Sequence, residues 1–273
     1  MTAVTVPRTR AVRPTSSSRS GPRRALRHAL TVSHRHLIQL TRSPELLVSI
    51  AVEPIIFLVL FNYVFGGAIA APGEGYIDFL VPGIIVQLVA FATVQTGLGL
   101  NQDVSKGIVD RFRSLPMARS AVLSGRILAD AARFAFDFLL LAGVGALMGF
   151  RIATGPVPAL GAFLLTIAFG VALAWVAAWI GLAVRSPEAV QSAGFLWLFP
   201  LTFASSVYVP AQTMPGWLQA FVKANPVTVT VDALRALLLG GPTTALVLQS
   251  LAWTAAILAV FSTLAVRQYR RIT

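Results

Sequence analysis

The sequence predicts an all-α fold: a polytopic membrane protein with six transmembrane helices. Three observations predict it. Of 273 residues, 56% are hydrophobic and only 12% are charged, about half the charged share of a soluble domain. The apolar residues gather into runs of about 20, the length that crosses a hydrocarbon core of about 30 Å. The runs are continuous and do not alternate, which argues against a membrane barrel. In lipid, a helix satisfies every backbone amide within its own segment.

The elements follow in order. Residues 1–21 mix arginine with small polar residues and read as a disordered basic cytosolic tail. They do not lead into a signal peptide, because Arg27 and His28 interrupt the apolar run it would need. Over 22–42, Leu26, Leu30, Leu37 and Ile38 recur at near-helical spacing with Arg and His between them. That is the pattern of an amphipathic interface helix lying on the membrane surface. Ser43 and Pro44 then supply a cap and a first-turn proline. Residues 43–273 form the membrane domain, with spans at 45–65, 79–100, 127–150, 157–184, 190–208 and 243–266.

Charge sets the orientation. The net charge is +12, but its distribution follows the membrane sides. Nine arginines precede the first span, up to Arg42. Lys106, Arg111, Arg113, Arg119 and Arg126 follow the second span, Arg185 follows the fourth, and Arg267, Arg270 and Arg271 follow the sixth. The other side has only Arg151, Lys223 and Arg235. The positive-inside rule places both termini in the cytosol and accounts for the charge without nucleic acid. The chain has no cysteine, which excludes disulfides, thiol chemistry and cysteine metal sites. The predominance of arginine over lysine fits a GC-rich bacterial genome, and so a bacterial cytoplasmic membrane.

Charges within spans are costly and face protein or water. Arg126, Asp130, Arg133 and Asp137 alternate in sign at spacings of four, three and four, so they share one face of the third span and can pair in sequence. They form either a structural ladder at the cytosolic mouth or, through Asp137, part of a substrate or gating path. Glu53 precedes Pro54 in the first span, where a helix can kink. Its expected role is to pair with a residue such as Arg133; a substrate contact is the alternative. Phe195, Trp197, Phe199 and Phe203 in the fifth span are either cargo contacts or lipid-facing, and each taken singly reads as lipid-facing.

The 208–241 stretch is too polar and punctuated for a span. Pro215 starts a short helix bearing Trp217 and Phe221 on an interfacial face, and Asn225-Pro226 ends it. A second helix, about 229–239, carries Asp232 and Arg235 three apart and stops at Gly240-Gly241. Over about 214–240 these form either an outer re-entrant hairpin or two amphipathic helices in a surface loop.

Four motifs in order carry a resemblance: "RSPELLV", "FLVPGIIVQ", "GIVDRFRSLPMARSAVLSGRILAD" and "VPAQTMPGWLQAFVKANPVTVTVDALRALLLGG". From about residue 35 onward the chain resembles the daunorubicin/doxorubicin-resistance-like permeases of the type-2 ABC exporter class. That resemblance implies six spans per subunit, a second permease subunit, identical or homologous, and two copies of a separate ATP-binding subunit. It also makes 214–240 the family's outer re-entrant hairpin, and 101–115 the coupling helix docked on the ATPase. In that segment Val104, Ile108 and Phe112 form an apolar stripe flanked by Asp110, Arg111 and Arg113, a composition suited to a protein groove. The chain holds no G-x-x-x-x-G-K-[ST] phosphate loop, so ATP and Mg are expected in the partner chain, with no catalytic residue, metal or cofactor here. The expected cargo is hydrophobic or amphipathic: a drug, antibiotic, polyketide or lipid. Export of a glycan or glycolipid by the same architecture is the alternative. An intramembrane lipid-modifying enzyme would need clustered carboxylates, which the alternating ladder does not supply.

Overall fold

The computed structural model describes residues 44–69, 75–106 and 119–272, and every regular element among them is helical. We number the helices α1 (Pro44–Phe65), α2 (Tyr76–Ser105), α3 (Arg119–Leu147), α4 (Pro156–Ala183), α5 (Pro187–Phe203), α6 (Gly216–Ala224), α7 (Pro226–Leu239) and α8 (Thr243–Ile272). A short 3-10 turn at Ala211–Thr213 precedes α6. The tail at 1–21, the interface helix at 22–42, and Ile108, Asp110, Arg111, Phe112 and Arg113 lie outside the described residues.

Among the described residues, three helices are long and apolar enough to cross a membrane: α2, α4 and α8. The other expected spans fall short for separate reasons. Helix α1 has 22 residues and is interrupted by Pro54. The 29 residues of α3 carry the Arg–Asp series, and α5 has only 17 residues, about 25 Å of helix.

Helix ends follow local chemistry. Ser186 caps α5 by accepting from the Ala189 amide, with Pro187 in the first turn. The third span was expected to reach residue 150, but α3 stops at Leu147. Gly149 takes a positive φ of 108°, and the Phe150 amide reaches back to the Gly145 carbonyl at 2.9 Å. This is a glycine C-cap, with Phe150 buried behind it. The fifth span was expected to reach residue 208. Instead α5 ends at Phe203, and Asn225 donates to the Leu201 and Ala204 carbonyls at 2.7 and 2.8 Å. The second hairpin helix starts at Pro226, three residues before the expected 229, because Asn225 also accepts from the Val227 amide at 2.8 Å. One side chain thus ends α5 and begins α7.

Helix α2 forms the centre and touches α1, α3, α4, α5 and α7. It meets α4 at a crossing of small residues. A Cβ on Gly97 would lie 2.5 Å from the Ala177 carbonyl oxygen, and one on Gly181 would lie 2.3 Å from that of Gly97. Only glycine permits that approach. Helix α8 packs outside, against α4 and α7.

The bundle has two distinct ends. At one, Leu100, Ala178, Leu182, Ala265 and Tyr269 cluster, gathering the C-terminal ends of α2, α4 and α8. Arg126 near the start of α3 reaches Asp103 of α2 there, at 2.6 Å. Asn101 donates to the Gly181 and Val184 carbonyls, finishing α4. At the other end, the Ala153 amide and Thr154 hydroxyl reach the C-terminal carbonyls of α7, and the Tyr76 hydroxyl donates to the Tyr208 carbonyl at 3.0 Å. The first end carries Lys106, Arg126, Arg185, Arg267, Arg270 and Arg271, and the second carries Arg151 and Arg235, near Asp78 and Phe79 at the start of α2; Lys223 lies beside Trp253 of α8.

Candidate functional site

A groove of about 320 Å³ opens on one side of the bundle, lined by α1, α2 and α5 with Arg133 contributed by α3. Two helical stripes build it. On α2, Ile84, Gln87, Leu88, Phe91, Gln95 and Leu98 recur every three or four residues, the period of one helix face. On α5, Gln191, Phe195, Phe199 and Phe203 stand four apart. Helix α1 closes the third side with Pro54 and Phe57.

The aromatic rings are in mutual contact. Phe91 packs against Phe195 and Phe199, with centroids 5.8 and 5.5 Å apart. Phe199 stacks on Phe203 at 5.4 Å, Phe203 leans on Tyr208 at 5.5 Å, and Tyr208 stacks on Phe61 at 4.3 Å. These separations are those of attractive aromatic pairs. At the end bearing the hairpin, the Tyr208 hydroxyl donates to the Gln87 amide oxygen. Toward the opposite end, Arg133 is the sole ionisable side chain among the described residues that line the groove. The volume is at the lower end of small-molecule sites, and an apolar wall with few polar groups is their usual chemistry. Rings can stack on the phenylalanines, and Gln87, Gln95 and Gln191 offer amides.

The expected ladder on α3 is only partly a ladder. Arg133 and Asp137 do approach within their helix, at 3.9 Å. Arg126 pairs outward, to Asp103, because its side chain crosses over Gly99, where a Cβ would collide with the guanidinium. Asp130 accepts from the Thr96 hydroxyl of α2 at 2.8 Å. The series therefore fastens α3 to α2 as well as pairing along α3. Glu53 lies on α1, and its side chain is outside the described residues, as is any pairing it makes.

Of the predicted hairpin residues, Asp232 and Arg235 are brought together, and Arg235 is the centre of a network. Its guanidinium lies 3.5 Å from the centroid of the Phe79 ring. It donates to the carbonyls of Phe79, Ser206 and Val207 at 2.8, 2.7 and 3.2 Å. Asp232 pairs with it at 3.0 Å, as the three-residue spacing predicts. Arg235 thus bonds carbonyls in the non-helical 204–210 segment and ties α7 to α2. Gly83 lets that segment approach, since a Cβ there would lie 2.5 Å from the Val207 carbonyl oxygen. Pro215 caps α6, Trp217 and Phe221 are exposed on it, and Asn225-Pro226 form the joint.

Val104 packs in part against this chain's own cluster around Leu100 and Tyr269, near the end of α2, which continues to Ser105; Ile108 and Phe112, the rest of the expected stripe, lie outside the described residues. On α5, Phe195, Phe199 and Phe203 line the groove, with Phe199 and Phe203 still exposed, while Trp197 packs against the main core. The four-residue spacing of Gln191, Phe195, Phe199 and Phe203, and three glutamines within apolar helices, were the signals in the sequence. Gln87, Phe91, Gln95 and Gln191 carry no individual signal in the sequence, since no single one stands out from its apolar helix.

Comparison with known proteins follows the same residues. The ABC-2 type transporter family pattern matches residues 27–239. The chain belongs to the ABC-2 type transporter family. It is 38% identical over 268 residues to the daunorubicin resistance ABC transporter permease protein of Streptomyces coeruleorubidus, covering 97% of this chain and 95% of that one. It is 28% identical over 255 residues to a probable doxorubicin resistance ABC transporter permease protein of Mycobacterium tuberculosis, covering 93% and 92%. A putative transport permease of Cyanophora paradoxa matches at 28% over 212 residues, covering 74% and 70%. As an ABC-2 permease, the chain is a membrane transport subunit.

Proposed function

We propose that this permease is the membrane half of an ATP-driven exporter that moves a hydrophobic or amphipathic compound, such as a drug, antibiotic or polyketide, out across the cytoplasmic membrane. The observation that carries this reading is the groove: contiguous phenylalanines with a few amides fit a flat amphiphile. The drug-resistance relatives support the same cargo class. Six helices cross the membrane, α1 and α5 being completed by packing against neighbours, and both termini are cytosolic. The two bundle ends support this, since six described cations lie at the end assigned to the cytosol. The groove faces a second permease subunit, identical or homologous, and cargo moves between them. Two ATPase subunits supply the work through the segment around Phe112, since this chain has no phosphate loop.

The test is transport in inside-out vesicles containing the permease and its ATPase. ATP-dependent uptake of a fluorescent aromatic amphiphile is expected. Phe112→Ala leaves the permease in the membrane but removes uptake and the co-purifying ATPase. Vesicles that hydrolyse ATP yet accumulate no amphiphile of any charge overturn the exporter reading. Full recovery of the ATPase with Phe112→Ala overturns the coupling role.

A further inference from the structure

Arg133 has an unusual position. It lines the aromatic groove, yet its Nε is buried and has no hydrogen-bond partner among the described residues. That buried edge faces Asp137, 3.9 Å away, and Asp137 has no exposed surface at all. The carboxylate is thus sealed behind the arginine and cannot meet anything in the groove. The guanidinium, with 21% of its side chain exposed, can. Arginine presents a planar fork of five donors and cannot be deprotonated. One edge held by a buried counter-ion leaves the other edge for a carboxylate, phenolate or similar oxygen anion. The remaining described lining is neutral: phenylalanine, aliphatic residues and the amides of Gln87, Gln95 and Gln191. Other described charges near the groove are already engaged, since Arg126 is paired with Asp103 and Asp130 accepts from Thr96.

We propose that Arg133 is a specificity-determining residue that selects an aromatic cargo bearing an anionic group and disfavours a cationic one. The inference rests on the reading of the groove as the cargo site. The rings hold the flat body, the glutamines orient polar substituents, and Arg133 binds the anion. A cation placed there would meet like charge with no accessible carboxylate among the described residues to offset it.

Two xanthene dyes of similar shape and opposite charge provide the test: fluorescein and rhodamine 123. Binding is read by fluorescence polarisation on the full-length permease, assembled with its ATPase in nanodiscs. Fluorescein is expected to bind more tightly, and Arg133→Gln should weaken it ~10- to 100-fold, the scale of one charged hydrogen-bonded contact. Rhodamine 123 should be unchanged or bind better. If Arg133→Gln folds poorly, the Arg133→Gln/Asp137→Asn double variant strands no buried carboxylate and should show the same loss. Gln95→Glu leaves Arg133 in place and should reduce the fluorescein preference about tenfold by adding an opposing charge. Phe199→Ala should weaken both dyes. Equal or tighter binding of rhodamine 123 to the unaltered permease, with both dyes weakened by Phe199→Ala, overturns the selection by Arg133 and keeps the groove. Insensitivity of both dyes to Phe199→Ala overturns the groove reading as well.

Discussion

Asp137 is fully buried, and neither of its carboxylate oxygens has a hydrogen-bond donor among the described residues. Arg133, its partner at 3.9 Å, is partly open to the groove. This asymmetry separates two substitutions that look alike in sequence. Arg133→Ala strands a carboxylate with no access to water, a change that costs about 3–5 kcal/mol when a buried pair is broken. Asp137→Asn leaves a cation that can still reach solvent in the groove and costs about 1–2 kcal/mol. Thermal unfolding of the detergent-solubilised permease, followed by fluorescence-detected size exclusion, should therefore rank Arg133→Ala as the less stable. The reverse order would mean that the carboxylate is satisfied elsewhere. At this scale the sequence was legible where partners lie within one helix. Arg133 with Asp137 and Asp232 with Arg235 follow from spacings of four and three. Arg126 with Asp103 does not, because the pair joins two helices across Gly99.

The closest helix crossing depends on glycine. The α2–α4 crossing brings Gly97 and Gly181 into backbone contact, and between membrane helices such close packing takes the place of the hydrophobic drive. Gly97→Ala puts a methyl 2.5 Å from the Ala177 carbonyl oxygen, so the helices must part. The expected loss is about 1–3 kcal/mol and a lower unfolding temperature. Gly143→Ala on α3 meets no atom within 4 Å and should be neutral or stabilising by up to about 1 kcal/mol, through helix propensity alone. A tolerated Gly97→Ala would rule out the tight crossing. Apolar runs and prolines reveal that α2 and α4 exist, and roughly where they end. Which of the many glycines lie in a crossing depends on contacts 80 or more residues apart in the chain, and no local pattern reports it. The early stop of α5 was hidden for the same reason: Asn225, which satisfies its last carbonyls, lies beyond the loop.

For the whole molecule, the class was legible from composition and charge distribution, and the order of motifs pointed to the permease family. The groove was not, because it forms where α1, α2 and α5 diverge and is a property of their arrangement. It lies beside the exposed faces of α1 and α5. The chain has no native cysteine, so a single introduced thiol reports on one place. The most direct measurement is the rate of maleimide labelling of Phe199→Cys in membranes holding the assembled transporter, with and without an exported aromatic dye. Leu251→Cys, on the exposed outer face of α8, is the control. Dye should slow labelling several-fold at the Phe199→Cys site and leave the Leu251→Cys site unchanged. Equal rates with and without dye at the Phe199→Cys site, or equal slowing at both sites, would contradict a cargo path through the groove.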